Sequence, residues 1–394
     1  MKLALLVPEF PTQTHIFFWR EALALRRLGA DVSFISTRRP AAPCPHKFAT
    51  EAIPQTHYVT PPRPSSIALH PIRLLTGLRY VFELRSSNWK NRLQVAAMSL
   101  PAADLVEYCS AQAIDHIHVH SCANAAHVVA MSYRMGGPTF SLHLHGDLPV
   151  YGTDHQAKMR DALFISADAR PHQQQVIDQI GIPASRTCTI PMGVDTDRFM
   201  PAPRNEDAEN AGLLRVVTVA RLHACKGHLF ALRAIRRAVD QGAKIYYTIA
   251  GGGEAEPQIR DEIIKLRLSD SVRIVGALDE QLVIELLRNA DVFLLTSVGV
   301  GEASPVAVME AMACGVPAIC SVIGGTCDMI DSGIDGCLVP QQDEAAICDA
   351  LLTLAAKPAT RRNMAAAARE RALRQFSVEH TAKALLQAID DANQ

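Results

Sequence analysis

The residues "VVTVARLHACKGH", at positions 216–228, decide the fold of this chain. Val216 to Val219 form a short apolar run, rich in β-branched residues, which is typical of a strand buried on both faces. Polar residues and Gly227 end that run, and a helical pattern follows in "HLFALRAIRRAV". A strand, a turn and a helix in this order indicate one unit of a parallel α/β sheet.

The same alternation of apolar runs and helical patterns extends through the chain. Further predicted strands are "KLALLVP", "DVSFIST", "IDHIHVH", "TFSLHLHG", "DALFISA", "KIYYTIAGGG", "VRIVGAL", "DVFLLTS" and "VPAICSV". A polar stretch without apolar periodicity, "MPAPRNEDAENAG" at 200–212, reads as a linker. We therefore predict an α/β protein with two Rossmann-like, doubly wound parallel-sheet domains that face a cleft, residues 1–200 and 201–375.

The composition limits the classes of function. The 394 residues carry a formal net charge of −1, which gives no general attraction for nucleic acid. The 10 cysteines form no C-x-x-C pair, so neither a zinc framework nor a disulfide scaffold is predicted. The opening "MKLALLVPEF" has too short an apolar run for a signal peptide, and no run is long enough to span a membrane. We expect a cytoplasmic protein.

Two basic residues follow the strand at 216–219. Arg221 and Lys226 lie just beyond its carboxyl end, where doubly wound sheets bind their ligands. A diphosphate needs such positive charge, above all when it departs as a leaving group. The alternative is an ordinary basic turn that leads into a solvated helix.

A second candidate site is "GEASPVAVMEAMACGVPAI" at 301–319. Ser304 is predicted as the N-cap of a helix, Pro305 as its first residue and Cys314 as its end. The free N–H groups and the dipole at such a start attract phosphate, so Ala303 to Val306 (Ala303, Ser304, Pro305, Val306) are candidate nucleotide contacts. Glu302 and Glu310 are carboxylates suited to accepting hydrogen bonds from sugar and ribose hydroxyls. Alone, the pair of glutamates is a weak signal, because a surface helix with an acidic start would look the same.

Together these motifs make the second domain resemble glycosyltransferase family 4, retaining enzymes of the GT-B fold. The resemblance is carried by "VARLHACKGH", "IAGGGE", "VRIVGAL", "ADVFLLTS", "GEASPVAVMEAMACGVPAI" and "DGCLVP", with "IPMGVDTDRF" before the linker. It implies that Arg221 and Lys226 hold the diphosphate of a nucleotide-sugar donor, Glu310 its ribose and Glu302 the transferred sugar. It also implies that the backbone near Gly276 meets the base, and that the final helix, residues 376–394, packs back on the first domain.

The first domain is similar to the exopolysaccharide and colanic-acid-type subgroup of that family. "FPTQTHIFFWREALALRRLG", "IDHIHVHSCANAAHVVA" and "FSLHLHGD" carry this likeness, although Gln13 stands within a run that is usually Ser-Glu-Thr-Phe-Ile. The resemblance implies that His145, at the end of a strand, faces the sugar or the acceptor.

Neither the histidines nor the Asp195–Asp197 pair is predicted to bind a metal. His116, His118 and His120 share one strand face, as do His143 and His145, and neighbours are expected to satisfy them. Asp195 and Asp197 lie in "GVDTDRF", where a capping turn is the simpler interpretation. We predict a metal-independent enzyme with no cofactor besides the donor substrate.

The segment 61–100 has an unusual charge pattern. Its basic residues greatly outnumber the single acid, Glu83, and are interleaved with Leu, Tyr, Phe and Trp89. Such a segment can lie on anionic lipid at the inner face of a membrane as a peripheral contact, or it can be a helical pair that covers a sheet and exposes its arginines.

The sequence as a whole predicts a retaining hexosyltransferase. It would move a sugar from a UDP-type nucleotide donor to a saccharide acceptor during synthesis of a cell-surface polysaccharide. A lipid-linked saccharide is one form of acceptor that this prediction includes. Two alternatives remain open: a GT-B-type sugar-nucleotide epimerase, and a non-catalytic partner that binds nucleotide sugar within a polysaccharide complex.

Overall fold

The computed structural model describes residues 1–12, 15–42, 44, 47–59, 71–85, 88–203, 212–299 and 304–394, with backbone only at 71–74. The chain divides into two compact units. The first comprises Met1–Gly193 and Val378–Gln394, and the second comprises Val194–Ser377. The division at 193/194 lies seven residues before the boundary expected at 200/201.

The first unit is built on a sheet of seven parallel strands. They are β1 (Lys2–Leu6), β2 (Asp31–Ser36), β3 (Thr56–Tyr58), β4 (His116–Val119), β5 (Thr139–Leu144), β6 (Ile165–Ala167) and β7 (Thr187–Thr189). Their order in the sheet is β3-β2-β1-β4-β5-β6-β7. In β4 all four side chains are buried, because helices cover both faces of the sheet.

Nine helices of this unit lie in the described ranges. They are α1 (Ile16–Arg27), α2 (Phe48–Ala52), α3 (Pro71–Val81), α4 (Trp89–Ala97), α5 (Ser99–Gln112), α6 (Asn124–Arg134), α7 (His155–Met159), α8 (Arg170–Gln175) and the C-terminal helix (Val378–Ala392). The C-terminal helix packs on α1, where Arg27 forms an ion pair with Glu379. A side chain at Gly193 would lie 2.5 Å from the hydroxyl of Thr381, so this close packing requires glycine.

The second unit has a sheet of six parallel strands. They are β8 (Leu213–Val219), β9 (Lys244–Ala250), β10 (Val272–Gly276), β11 (Val292–Leu295), β12 (Ala318–Ser321) and β13 (Gly336–Val339), in the order β10-β9-β8-β11-β12-β13. Its helices are α9 (His228–Asp240), α10 (Glu256–Lys265), α11 (Glu280–Arg288), α12 (Val306–Ala313), α13 (Thr326–Met329), α14 (Glu344–Ala356) and α15 (Pro358–Arg371). We number the C-terminal helix, Val378–Ala392, α16.

Each sheet reverses its strand order once. In the first unit the reversal lies between β1 and β4, and in the second between β8 and β11. Connections from two such neighbouring strands run to opposite faces of the sheet and leave a crevice at their carboxyl ends, which is where doubly wound sheets bind ligands. Arg221 and Lys226 follow β8, and the segment that leads to α12 follows β11. The topology thus brings both sequence motifs to one edge.

Three strands were not predicted from the sequence. β3 and β7 have three residues each, "THY" and "TCT", and β13 reads "GCLV". All three are outer strands of their sheets. Such short strands give no periodic pattern of their own, and pairing with a neighbouring strand defines them instead.

None of the helices in the described part of the chain is both long and apolar enough to span a membrane.

Candidate active site

The turn that carries Lys226 is fixed against the strand next to it. Ala224–Lys226 form a single 3-10 turn that ends at Gly227, whose φ is +67°. The hydroxyl of Thr296, directly after β11, donates to the carbonyl oxygen of Gly227 at 2.9 Å. The amide of Val298 donates to the carbonyl oxygen of Cys225 at 2.8 Å. The half-buried Lys226 is therefore held at the reversal point of the second sheet.

Arg221 is held through its backbone. Its carbonyl oxygen accepts from Nε2 of the buried His228, the first residue of α9, at 3.1 Å. Burial, together with nearby Lys226, lowers the pKa of His228, although its bond to the Arg221 backbone opposes this. A neutral ring with its proton on Nε2 fits the hydrogen bond. The Arg221 residue itself is exposed at this edge, as a ligand contact requires.

The glycines after β9 lie against the backbone of the loop that carries Arg221. A Cβ on Gly251 would lie 1.8 Å from the carbonyl oxygen of Ala220, and one on Gly253 would lie 2.3 Å from that of Leu222. The amide of Leu222 in turn donates to the carbonyl oxygen of Gly252 at 2.9 Å. The run of glycines thus lets two loops touch on either side of Arg221, a structural role.

The start of α12 differs from the prediction. The N-cap is Pro305, with φ −66° and ψ 108°, and the helix begins at Val306 and ends at Ala313. The prediction of Ser304 as the N-cap was therefore wrong. Ser304 is buried, and its hydroxyl lies 3.4 Å from the sulfur of Met329. Proline has no side-chain acceptor, so within the described residues the N-cap itself offers the first turn only its carbonyl oxygen, which accepts from the amide of Val308 at 2.9 Å.

The other predicted nucleotide contacts are placed as follows. Glu302 and Ala303 lie outside the described residues. Glu310 is buried in α12, and Val306 is half-buried at its first position. Gly276 ends β10 with φ +76°, and its carbonyl oxygen accepts from the amide of Gly251 at 2.8 Å. Each of those described lies in the second unit.

His145 lies in the first unit, directly after β5. Its backbone amide donates to the hydroxyl of Tyr151 at 2.7 Å. Ring atom Nδ1 lies 3.1 Å from Oδ2 of Asp168, and Nε2 lies 3.3 Å from Nδ1 of His120. About a fifth of the side chain is exposed, 21%. The ring is thus oriented by two neighbours and still reaches the surface of its unit.

The expectation that neighbours satisfy the strand histidines is confirmed for His116, His118 and His143, whereas Nε2 of His120 has no aligned hydrogen bond in the described ranges. All four rings are buried rather than half-buried. Nδ1 of His118 lies 2.7 Å from the hydroxyl of Ser141, which also lies 2.8 Å from Nε2 of His116. Nδ1 of His143 lies 2.7 Å from the hydroxyl of Ser166. Burial lowers the pKa of His116 to about 4. Burial also lowers the pKa of His118, so the rings of His116 and His118 are neutral parts of the core.

In the described ranges, one cluster of three side chains has its ligand-type atoms close enough together for a cation site. His143, His145 and Asp168 place ligand-type atoms within 4.8 Å of one another. Both carboxylate oxygens already lie at hydrogen-bond distance from the two imidazoles, at 2.7 and 3.1 Å. Hydrogen bonds from imidazole N–H groups can balance this buried charge, as an ion could.

The Asp195–Asp197 segment forms a turn. Oδ1 of Asp195 accepts from the amides of Asp197, at 3.2 Å, and Arg198, at 3.1 Å. This is the capping arrangement predicted from the sequence.

Comparison with known proteins now identifies the second half of the chain. Residues 201–371, which include every described site residue of the second unit, match the family described as glycosyl transferases group 1. The matched residues lie within the second unit, Val194–Ser377. The match covers less than half of the chain.

Relatives agree with this domain assignment. The chain is 36% identical over 185 residues to the amylovoran biosynthesis glycosyltransferase AmsK of Erwinia amylovora, which covers 46% of this chain and 45% of AmsK. It is also 36% identical over 179 residues to WcaL of Escherichia coli, a protein named for colanic acid biosynthesis, covering 44% of this chain and 43% of WcaL. The matched region thus covers less than half the length of each of these curated relatives.

Solved structures agree over almost the whole chain. The Anabaena protein HepE in complex with UDP has a TM-score of 0.78 at 17% identity, with 99% of this chain and 100% of that chain covered. Sucrose-phosphate synthase of Thermosynechococcus elongatus has a TM-score of 0.72 at 19% identity, with 99% and 98% covered. The chain has the GT-B fold, as predicted.

Three residues of the site region were missed from the sequence: His228, Asp168 and Glu21. His228 follows Gly227 in the motif itself and could have been singled out as a buried polar residue. Asp168 directly follows β6, whose Ala167 pairs with Leu144 of β5, so strand register would have placed it beside His145. Glu21 lies in the middle of α1, where the sequence gives no signal for its burial.

Proposed function

We propose that this chain is a retaining glycosyltransferase that transfers a hexose from a UDP-sugar to a saccharide acceptor in exopolysaccharide synthesis. One observation carries the proposal: the turn with Lys226 is hydrogen-bonded to the end of β11, the strand that leads towards α12. The strand order puts the positive side chains and the start of α12 on connections beside the crevice where a nucleotide diphosphate binds in doubly wound sheets, which supports the proposal.

The choice of donor has support from structural neighbours. HepE was crystallised with UDP and with UDP-glucose. The group 1 domain of this chain has the charged groups that such a donor needs, Arg221 and Lys226, in a turn fixed by Thr296. The polysaccharide names of AmsK and WcaL support a role in exopolysaccharide synthesis.

The proposed mechanism uses these groups for the departure of the diphosphate. The bond between the anomeric carbon and the phosphate oxygen breaks, while Arg221, Lys226 and the amides at the start of α12 stabilise the negative charge. The acceptor hydroxyl attacks the same face of the sugar and gives its proton to the departing oxygen. Glu302 and Glu310 hold sugar and ribose hydroxyls, and the backbone at Gly276 meets the base. No metal is required, because the two cations supply the charge.

A screen of nucleotide sugars tests the function. Binding of UDP-, GDP- and ADP-sugars is measured by calorimetry, and nucleotide release is followed with and without oligosaccharide acceptors. We expect binding of a UDP-sugar, acceptor-dependent release of UDP, and a product whose anomeric configuration, read by proton NMR, equals that of the donor. Release of UDP without any acceptor would favour the epimerase, and binding without turnover would favour the non-catalytic partner.

We also propose that the acceptor is lipid-linked and that α3 and α4 rest on an anionic membrane at the cytoplasmic face. These two helices pack together and expose large apolar side chains: Leu75, Leu78, Phe82, Trp89 and Leu93. Phe82 is 81% exposed and Trp89 is 67% exposed.

Charge supports the same surface. Arg79, Arg85 and Lys90 are exposed in the same segment, whereas Glu83 is paired with Arg134 at 2.8 Å. Apolar side chains beside positive charge suit the boundary between anionic headgroups and acyl chains. Of the two interpretations of 61–100, this arrangement favours the lipid contact. Residues 61–70, 86 and 87 lie outside the described part of the segment.

A further inference from the structure

A chain of ionisable side chains crosses the first unit from α1 to the end of β6. Oε2 of Glu21 lies 2.8 Å from Nε2 of His120, a close polar contact rather than an aligned hydrogen bond. Nδ1 of His120 lies 3.3 Å from Nε2 of His145, and Nδ1 of His145 lies 3.1 Å from Oδ2 of Asp168. The other oxygen of Asp168 lies 2.7 Å from Nε2 of His143. Apart from His145, all of these residues are buried.

The position of each proton follows from the carboxylate at one end. Burial alone would raise the pKa of Asp168, but His145 and His143 outweigh it and hold that pKa well below its usual value. Ionised Asp168 only accepts hydrogen bonds, so Nδ1 of His145 and Nε2 of His143 must each carry a proton. Nε2 of a neutral His145 then has a lone pair.

The same reasoning from donor and acceptor roles also assigns the proton on Glu21. Because Nε2 of His145 accepts, Nδ1 of His120 must donate, and Nε2 of His120 is left with a lone pair. An ionised carboxylate 2.8 Å from that lone pair would be repelled, so the close contact favours a protonated Glu21. Burial raises the pKa of Glu21 to about 7, which agrees with this assignment.

We infer that Asp168 is a positioning residue, which holds His145 in the tautomer with the proton on Nδ1 and the lone pair on Nε2. The inference deepens the proposed function, since it rests on a role of His145 in contacting substrate. Aromatic packing supports the same orientation, because the ring of Phe18 lies 5.5 Å from that of His145 and 4.4 Å from that of His120.

The tautomer decides what His145 can do to a substrate. With Nδ1–H on Asp168, Nε2 can accept a hydrogen bond from a hydroxyl of the sugar or the acceptor; the other tautomer would donate one. The contact between His120 and His145 is long for a hydrogen bond, at 3.3 Å, so a hydroxyl can replace it at little cost. The carboxylate of Asp168 also stabilises the ring whenever it takes up a proton.

The first test reads the tautomer in the full-length wild-type protein. Histidine is labelled with 15N, the signals of His145 are assigned by comparison with His145→Gln, and long-range 15N–1H spectra distinguish the two ring nitrogens. We expect a neutral ring with its proton on Nδ1. A proton on Nε2 in the free enzyme would overturn the inference, whatever the activity of any variant.

The second test removes the carboxylate of Asp168, which accepts the hydrogen bond from His145. Asp168→Ala should lower kcat by 10-fold or more, change the donor KM less than threefold, and reduce the population of His145 with Nδ1–H. The matched control is Asp104→Ala, because Asp104 lies 3.4 Å from His57 elsewhere in the same unit, and it should change none of these quantities. A folded Asp168→Ala enzyme with wild-type kcat would contradict the inference.

The two proposals can fail separately. If D168A does not fold, the wild-type spectrum alone decides the inference. If the wild-type protein turns over no nucleotide sugar, the proposed function fails, while the spectrum still shows whether Asp168 sets the tautomer.

Discussion

The backbone of Gly227 touches that of Thr296: a Cβ on Gly227 would lie 1.9 Å from the carbonyl oxygen of Thr296. The contact joins the turn after β8 to the end of β11, so one glycine links the two motifs of the proposed donor site. An alanine there would have to move one loop away from the other, and its φ of +67° adds strain.

Gly227→Ala should therefore destabilise the protein and weaken donor binding. We expect a loss of about 3 kcal/mol in the free energy of unfolding and at least a tenfold rise in the Kd for UDP. Urea denaturation and calorimetry measure the two effects. Gly242→Ala is the matched control, because Gly242 has φ +90° with no atom within 4 Å of an added Cβ. It should cost only about 1 kcal/mol and leave the Kd unchanged. Equal losses in both variants would contradict the role given to the contact.

The sequence predicted the strands of this region correctly because their signals are local. Apolar runs marked β8 and β11, and the sign and spacing of Arg221 and Lys226 indicated an anionic ligand. The rule for doubly wound sheets then placed both motifs at one edge, as the strand order shows.

What the sequence could not supply depends on contacts between distant residues. Ser304 has the composition of an N-cap, but burial against Met329 turns its hydroxyl away from the helix end. Asp168 meets His145 only because β5 and β6 pair in one particular register. Three-residue strands such as β3 and β7 are defined by their neighbours rather than by their own sequence.

Lys226→Ala should separate catalysis from folding. Removal of the positive charge leaves the departing diphosphate less stabilised, so kcat should fall by about 100-fold or more. The side chain is only half-buried, so the unfolding midpoint should shift little. Lys265→Ala is the matched control, since Lys265 is 74% exposed on α10, and its turnover should equal that of wild type. Full activity of Lys226→Ala would remove this residue from the mechanism.

The proposed membrane-binding surface of α3 and α4 can be tested by making two of its apolar side chains polar. The double variant Phe82→Ser, Trp89→Ser should bind vesicles with 30 mol% anionic lipid about 10-fold or more weakly than wild type at low salt, because both apolar anchors are lost. Flotation at low and high salt measures this, and wild-type binding should weaken as salt rises. Ile264→Ser is the control, because Ile264 is 68% exposed on α10 in the second unit. Equal binding by all three proteins, or none by wild type, would refute the lipid contact.

The protonation of Glu21 predicts how stability changes with pH. The pKa of Glu21 rises from 4.5 in the unfolded chain to about 7 in the folded protein, chiefly through burial and with a further rise from Asp168, while His143 and His145 oppose it. Between these two pH values the unfolded state releases the proton that the folded state keeps, so stability falls as pH rises. Below pH 4.5 the glutamate has no such cost, and above pH 7 the cost is complete.

Glu21→Gln keeps a neutral hydrogen-bond donor beside His120 and cannot ionise. Relative to wild type, its free energy of unfolding should therefore increase from pH 4.5 to pH 7 by about 2–3 kcal/mol and then stay constant. Urea denaturation of both proteins across this range measures the difference, with Glu51→Gln, at an exposed position of α2, as the control. A difference that is flat with pH would mean that Glu21 is ionised in the fold, and the proton assignment for His120 would then be wrong.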